Sequence, residues 1–326
     1  MKNNFWEKLK KPFFCLAPME DVTDPAFRRL FAKYGKPDVM WTEFTSADAL
    51  ISDGRKRVEK DLAYTEKERP IVAQLFSACP ERMEKAAAIA QELGFDGLDI
   101  NMGCPDKAIE KQGAGCALIK DPRLAQDIIR AAQNGAPRVP VSVKTRIGYR
   151  KNELAKWLPA LLETNINAVT MHLRARAEMS KVPAHWELAG EMIEIRNNCQ
   201  SKTLLIGNGD VSTLADAKQK AKETGLDGIM IGRGIFGNPW FFSGKTPSRE
   251  DRLSVLVEHA KLYEKLLPQR PFAIMKKHIK AYVSGWDGAK ELRIKLMECE
   301  NADEIKTVIL SGTKTAKQSS EVEGFH

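Results

Sequence analysis

As far as Trp240, short apolar and β-branched runs alternate with longer stretches of helical period, the pattern of βα units around a parallel sheet. Eight strand candidates can be counted: Phe13–Ala17, Asp38–Thr42, Ile71–Phe76, Gly97–Asn101, Val139–Thr145, Ala168–His172, Thr203–Gly207 and Gly228–Ile231. The helices between them have readable ends. Asp24-Pro25 opens one that Gly35 closes, Asp121-Pro122 opens another, and Ser212 starts one that stops at Gly225. Eight alternating units favour a closed barrel over an open sheet.

After Trp240 only helical signals remain. Ser248 with Asp251 makes a capping box for a helix ending near Pro268. Pro271 suits the first turn of the next, which runs to Gly285, and Asn301 with Glu304 offers another box. The expected architecture is thus α/β: a (β/α)8 TIM barrel over 1–244, then a small all-helical domain over 245–311. The polar stretch 312–326 is expected to be a disordered tail.

The length of 326 residues accommodates both parts, since a barrel of this kind takes roughly 250. The net charge of +8, from 51 basic and 43 acidic residues, is a modest bias that suits a polyanionic partner or a simply basic surface. Six scattered cysteines, with no C-x-x-C and no Cys/His ligand spacing, argue against a metal site and a disulfide framework. No apolar run is long enough for a membrane span or a signal peptide. A monomer working in the cytoplasm is the expectation.

Barrels build active sites at the C-terminal ends of their strands, so polar residues there matter most. Gln74, Asn101, Lys144, Arg146 and His172 all fall at such ends, and Asn208-Gly209-Asp210 follows strand seven. Alternation along strand five puts Ser142, Lys144 and Arg146 on one face and Val141 and Val143 on the other. After strand eight, Gly232-Arg233-Gly234-Ile235-Phe236-Gly237 sits where barrels hold a phosphate, and reads as a cradle with Arg233 on the anion. The alternative is a glycine-rich turn that only lets the chain pass. Cys104 follows strand four, and Gly113 and Gly115 further on suggest a mobile flap. By residue type a cysteine is more often a small buried hydrophobe than a catalyst; its place on a βα loop favours the second reading. Near neutral pH an unperturbed thiol is mainly the acid form.

Several runs, in this order, resemble the tRNA-dihydrouridine synthases. They are Ala17-Pro18-Met19 with Thr23-Asp24; Asp99-Ile100-Asn101-Met102-Gly103-Cys104-Pro105 with Lys107 and Gly113-Ala114-Gly115; and Lys144-Thr145-Arg146-Ile147-Gly148. Asn208-Gly209-Asp210 and Met230-Ile231-Gly232-Arg233-Gly234 with Gly237-Asn238-Pro239-Trp240 complete the set. The likeness spans about residues 12–310 and includes Lys276-Lys277-His278 in the helical part. Departures are Leu173-Arg174-Ala175-Arg176 where the family usually shows Gly-Arg-Thr after the histidine, Glu20-Asp21 after Pro-Met, and Cys116 in place of a smaller residue.

The resemblance implies reduction of the C5=C6 bond of uridine in tRNA, with FMN recharged by NADPH. It implies that Pro18, Met19 and Gln74 line the isoalloxazine and that Lys144 puts positive charge at its pyrimidine edge. His172, Asn208, Gly209, Asp210, Gly232 and Arg233 would hold the ribityl chain and phosphate. Hydride would go to C6, Cys104 would protonate C5, and Asn101 would orient the base. Lys107, Arg146, Arg174, Arg176, Lys276 and Lys277 become candidate tRNA contacts, within a chain whose segment from Arg270 to Lys295 holds seven basic residues against two acidic. A small-molecule flavin reductase of dihydropyrimidine or dihydroorotate type is the main alternative, and the basic helical domain argues against it. An aldolase with Lys144 as Schiff-base nucleophile and a non-catalytic RNA-binding module are the others.

Overall fold

The structure is a computed structural model, and it describes residues 4–311. The stretch 312–326, expected to be a disordered tail, lies outside the described residues. The described residues divide into two compact units, one of residues 4–24 and 36–234, the other of 25–35 and 235–311.

The first unit is a parallel barrel of eight strands: β1 Phe13–Leu16, β2 Met40–Ser46, β3 Ile71–Phe76, β4 Gly97–Met102, β5 Val141–Arg146, β6 Ala168–His172, β7 Leu204–Asn208 and β8 Gly228–Ile231. Neighbours pair in the order β1-β8-β7-β6-β5-β4-β3-β2. The remaining seam closes where Cys15 bridges Val39: Leu16 N donates to Val39 O at 3.1 Å and Asp38 N to Phe14 O at 2.9 Å. All eight expected strands are present, three with the expected ends and five with shifted ones, β2 and β5 by the most. β5 begins after Pro140, whose missing N–H cannot join a ladder, although its carbonyl accepts from Leu98 N at 3.0 Å. β2 runs on past Thr42 to Ser46, with an irregular register between Trp41 and Phe44. Its continuation carries Glu43, which looks in sequence like a strand end. The side chain is buried and accepts from Asp21 N at 2.6 Å.

Apolar side chains fill one end of the barrel: Trp6, Phe13, Trp41, Val72, Ile206 and Met230 belong to one buried cluster. Gly228 is required there, since a β-carbon at that position would stand 2.4 Å from the Phe13 ring. That apolar plug leaves the C-terminal strand ends for polar groups. The helix Pro122–Gly135 starts as the sequence predicts, with Asp121 accepting from Leu124 N at 3.1 Å. The cap before Leu214–Thr224 is Thr213 rather than Ser212, and Gly225 ends that helix at φ +70°.

The second unit is all-helical: Pro25–Tyr34, Arg249–Leu266, Met275–Tyr282, Ala289–Glu298 and a helical run over 302–311. The Ser248/Asp251 box forms, and Glu304 N donates to Asn301 at 2.9 Å. Leu253, Leu256, Tyr263, Met275, Ile279 and Leu296 are among its core residues. Pro25–Tyr34, which the alternation reads as the first barrel helix, contributes Ala26 and Leu30 to this core. Helical period shows that a face is buried, but not against what.

Candidate active site

A cavity of about 510 Å³ opens at the C-terminal ends of β5 to β8, within the usual range of small-molecule sites. Its wall includes Pro18 and Met19 from the loop after β1, Lys144 from β5, His172 and Arg174 at β6, Asn208-Gly209-Asp210 after β7 and Gly232-Arg233-Gly234 after β8. A larger cavity, about 750 Å³, lies at the opposite strand ends beside Ile166, Asn167, Thr203 and Leu204. Barrel chemistry is carried out at the C-terminal face, so the smaller cavity is the candidate.

The cavity wall is cationic, with Lys144, Arg174 and Arg233 among its residues. Burial, with the nearby Arg146 charge, pulls the Lys144 amine down to about 8, while Asp99 pulls the other way. Lys144 Nζ donates to Asn208 Oδ1 at 3.3 Å, and Asn208 Nδ2 to Met230 O at 2.8 Å. Burial and then the charges of Lys144, Arg146, Arg174 and Arg233 push His172 far below its ordinary value, so the ring is neutral. Arg174 Nη1 lies 3.2 Å from His172 Nε2. A guanidinium can only donate, so Nε2 accepts and the ring proton sits on Nδ1.

Asp210 lies between two arginines. It makes a short ion pair with Arg174, a 3.3 Å contact with Arg233, and accepts Ala184 N at 2.9 Å. The Arg174 hydrogen bond is the main reason its carboxyl is held below the usual range. The chain reaches it through Gly209 at φ +137° and Asp210 at +50°. Arg174, expected at the RNA, is only 3% exposed and belongs to this cavity, whereas Arg233 is 66% exposed.

Cys104 stands at the end of β4, the strand beside Lys144; Asn101 and Lys144 are register partners. Both backbone groups of Cys104 are occupied: its N–H donates to Asn101 Oδ1 at 2.9 Å and its carbonyl accepts Cys116 N at 3.0 Å. Gly103 O accepts from Arg146 Nε at 2.8 Å and from the Cys116 thiol at 3.0 Å. Gly115 has φ +61°, and a β-carbon there would stand 2.8 Å from Cys104 O. The segment expected as a mobile flap is therefore tied down beside Cys104 by short helices, Lys107–Lys111 and Gly115–Lys120. Burial raises the Cys104 thiol above its ordinary value and takes Cys116 up to about 12.

Gln74 and Asn101, expected against the flavin and the base, are buried and bonded to each other: Asn101 Nδ2 donates to Gln74 Oε1 at 3.1 Å. Arg146 is likewise buried, and its Nη1 has no hydrogen-bond partner among the described residues. Arg176 is paired with Glu110, while Lys107 and Lys276 are exposed and Lys277 is half-buried. Lys276 and Lys277 belong to the helical unit. In that unit Lys280, Lys290 and Arg293 line a groove of about 480 Å³ with Ile294, a grouping across two helices that sequence spacing does not reveal. Asp99, to which sequence reasoning gives no role of its own, is fully buried and accepts from Gln74 Nε2 and Ser142 Oγ. Its place two positions before Asn101, on the same strand face, is the signal that points to it.

A closed eight-stranded βα barrel with a cationic cavity and a thiol at one mouth defines an enzyme of the barrel class. The histamine dehydrogenase of Rhizobium sp. 4-9 shares the fold at TM-score 0.52 and 11% identity, over 76% of this chain and 48% of that one. The dihydrouridine synthase family matches residues 15–319, and the chain belongs to that family. A Bacillus subtilis (strain 168) protein named as probable tRNA-dihydrouridine synthase 2 is 43% identical over 95% of this chain and 96% of its own. A Staphylococcus aureus (strain COL) protein named as a probable tRNA-dihydrouridine synthase is 40% identical over 95% of each. Among the described residues no helix is long and apolar enough to cross a membrane, and no group of three or more His, Cys, Asp or Glu could hold a metal ion.

Proposed function

We propose that the protein reduces the C5=C6 bond of a uridine in tRNA to 5,6-dihydrouridine, using FMN as resident cofactor and NADPH as reductant. The observation that carries this reading is the pairing, on adjacent strands, of a thiol kept in its acid form with a cationic cavity.

The cavity residues fit a flavin mononucleotide. The wall has a small apolar side at Ala17, Pro18 and Met19 and a basic side at Arg174 and Arg233. At Gly232 an added β-carbon would meet nothing closer than Met19 Sδ at 3.7 Å, so room for a ligand is left there. Pro18, Met19 and Lys144 would hold the ring system; His172, Asn208, Gly209, Asp210, Gly232, Arg233 and Arg174 would hold the chain and its phosphate. When bound, FMN supplies the hydride for C6 that it receives from NADPH.

The protein's own residues do the rest. Lys144 contributes positive charge to the cavity wall, which favours negative charge on whatever occupies it. Cys104 gives its thiol proton to C5, so that one hydride and one proton add across the double bond. The thiolate left behind is stabilised by the buried Arg146 charge and regains its proton from solvent. The target base has to leave the tRNA stack, at a cost of a few kcal/mol. Phosphate contacts offset that cost; exposed Lys107 and Lys276, and the groove with Lys280, Lys290 and Arg293, are suited to make them. All six cysteines are free thiols, which suits work in a reducing cytoplasm.

The test is to incubate the protein with unmodified tRNA, FMN and NADPH and map dihydrouridine by mass spectrometry. Dihydrouridine at defined positions is the expected result. Turnover of free uracil or dihydroorotate with none on tRNA would instead establish the small-molecule reductase.

A further inference from the structure

Four side chains lie in one line between β5 and the Cys104 loop. Ser142 Oγ donates to Asp99 Oδ1 at 2.5 Å, and Gln74 Nε2 donates to Asp99 Oδ2 at 2.7 Å. Asn101 Nδ2 donates to Gln74 Oε1 at 3.1 Å. Asn101 Oδ1 then accepts from Gly103 N at 3.1 Å and Cys104 N at 2.9 Å. Asp99, Gln74 and Asn101 are all buried, at 0%, 0% and 7% exposure, so water offers no easy replacement. Gln74 and Asp99 are register partners across β3 and β4, and Asp99 and Ser142 across β4 and β5.

Each amide has a donor end and an acceptor end, and reversing one reverses the next. Burial lifts the Asp99 carboxyl to about 6, which leaves it ionised at neutral pH. An ionised carboxylate can only accept. Placed at the head of the line it forces Gln74 to turn its NH2 towards β4 and its oxygen towards Asn101. Asn101 must then offer its NH2 to Gln74, which leaves its oxygen for the two backbone N–H groups of the loop. Were Gln74 reversed, the Asn101 NH2 would face those two donors and the loop would lose both bonds. We propose that Asp99 is a positioning residue for Cys104: by fixing the direction of the Gln74–Asn101 relay, it holds the backbone from which the thiol projects. This rests on the role given to Cys104 above. It also gives Gln74 and Asn101 work that the cavity does not, since neither is part of its wall.

The direction of the line can be reversed on purpose. Asn101→Asp sets a second acceptor against Gln74, so the relay cannot satisfy both ends. Adding Asp99→Asn restores one consistent direction. The new amide at position 99 donates to Gln74, Gln74 donates to the new carboxylate at position 101, and that carboxylate still accepts from Gly103 and Cys104. Asp99→Asn alone is a weak test, since its new amide can donate to Ser142 Oγ and leave Gln74 in place. Gln74→Met cuts the line without adding charge, and so separates the relay from simple repulsion between two carboxylates.

The readouts are hydrogen exchange at the Gly103 and Cys104 amides and the rate of Cys104 alkylation by iodoacetamide, followed by peptide mapping. Neither needs tRNA or reductant. Exchange at these two amides should rise about tenfold or more in Asn101→Asp and in Gln74→Met, and return to within about threefold of wild type in Asp99→Asn/Asn101→Asp. Alkylation should follow the same order. Wild-type exchange in Gln74→Met, or a double variant as fast as Asn101→Asp, overturns the proposal. If Asn101→Asp does not fold by circular dichroism, Gln74→Met decides alone. Failure of the wild type to reduce tRNA overturns the functional reading, and exchange alone then decides the relay.

Discussion

The thiol of Cys104 begins from an ordinary pKa of about 8.5, and burial moves it upward, with the carboxylates of Glu20 and Asp106 acting in the same sense. A thiol shifted that way holds its proton through the working range and, in the proposed reaction, is suited to give it to C5 once the hydride has reached C6. Cys104→Ala should therefore keep its yellow flavin spectrum while tRNA reduction falls by about 10² to 10⁴, the usual weight of a general acid; unchanged turnover would remove the residue from the reaction. Lys144 titrates in the opposite direction. With its amine near 8, raising the pH through 8 removes the Lys144 charge from the cavity wall, so flavin affinity measured by fluorescence should fall across that interval. Lys144→Arg should move the fall to higher pH, because a guanidinium keeps its charge.

Paired helices carry their own vulnerability to acid. His259, on Arg249–Leu266, is fully buried, and neither ring nitrogen has a hydrogen-bond partner among the described residues. His278, Phe27 and Tyr282 face it, with ring centroids 4.6, 5.7 and 5.9 Å away. Burial drags its pKa down to about 3. The unfolded chain takes up the proton near 6.5 whereas the folded one does not until near 3, so stability is lost as pH falls between those values. The loss should approach a tenfold change in the folding equilibrium per pH unit. Urea melts of wild type and His259→Phe from pH 7 to 4 would show it, with the variant the flatter of the two. The apolar pattern of this helix reveals a buried face, but the histidine in that face reads in sequence as a polar position.

For the whole molecule, binding to a polyanion is the property that the net charge of +8 bears on. If phosphate contacts hold the tRNA, raising salt from about 50 to 200 mM should weaken binding steeply, by about 10³ for six contacts, and filter binding at several salt concentrations would measure the slope. A flat response would mean that the basic groups do not touch phosphate. Much of this molecule can be read from sequence, because strand alternation, helix caps and turn glycines act over a few residues. All eight strands, the Ser248/Asp251 cap, the Gly225 stop and the polar strand ends are legible for that reason. Glu43 and Pro140 displace strand ends because burial in the barrel and a missing ladder donor decide there. Sequence by itself determined which residues stand at the barrel mouth: Cys104, Lys144, His172 and the glycines after β8. Only the tertiary structure decided who meets whom. Arg174 turned inward to Asp210, Asp99 came to accept from Gln74 and Gln74 from Asn101, and Pro25–Tyr34 joined the helical core. Those meetings depend on the register of parallel strands and on packing between distant segments, which no local pattern encodes.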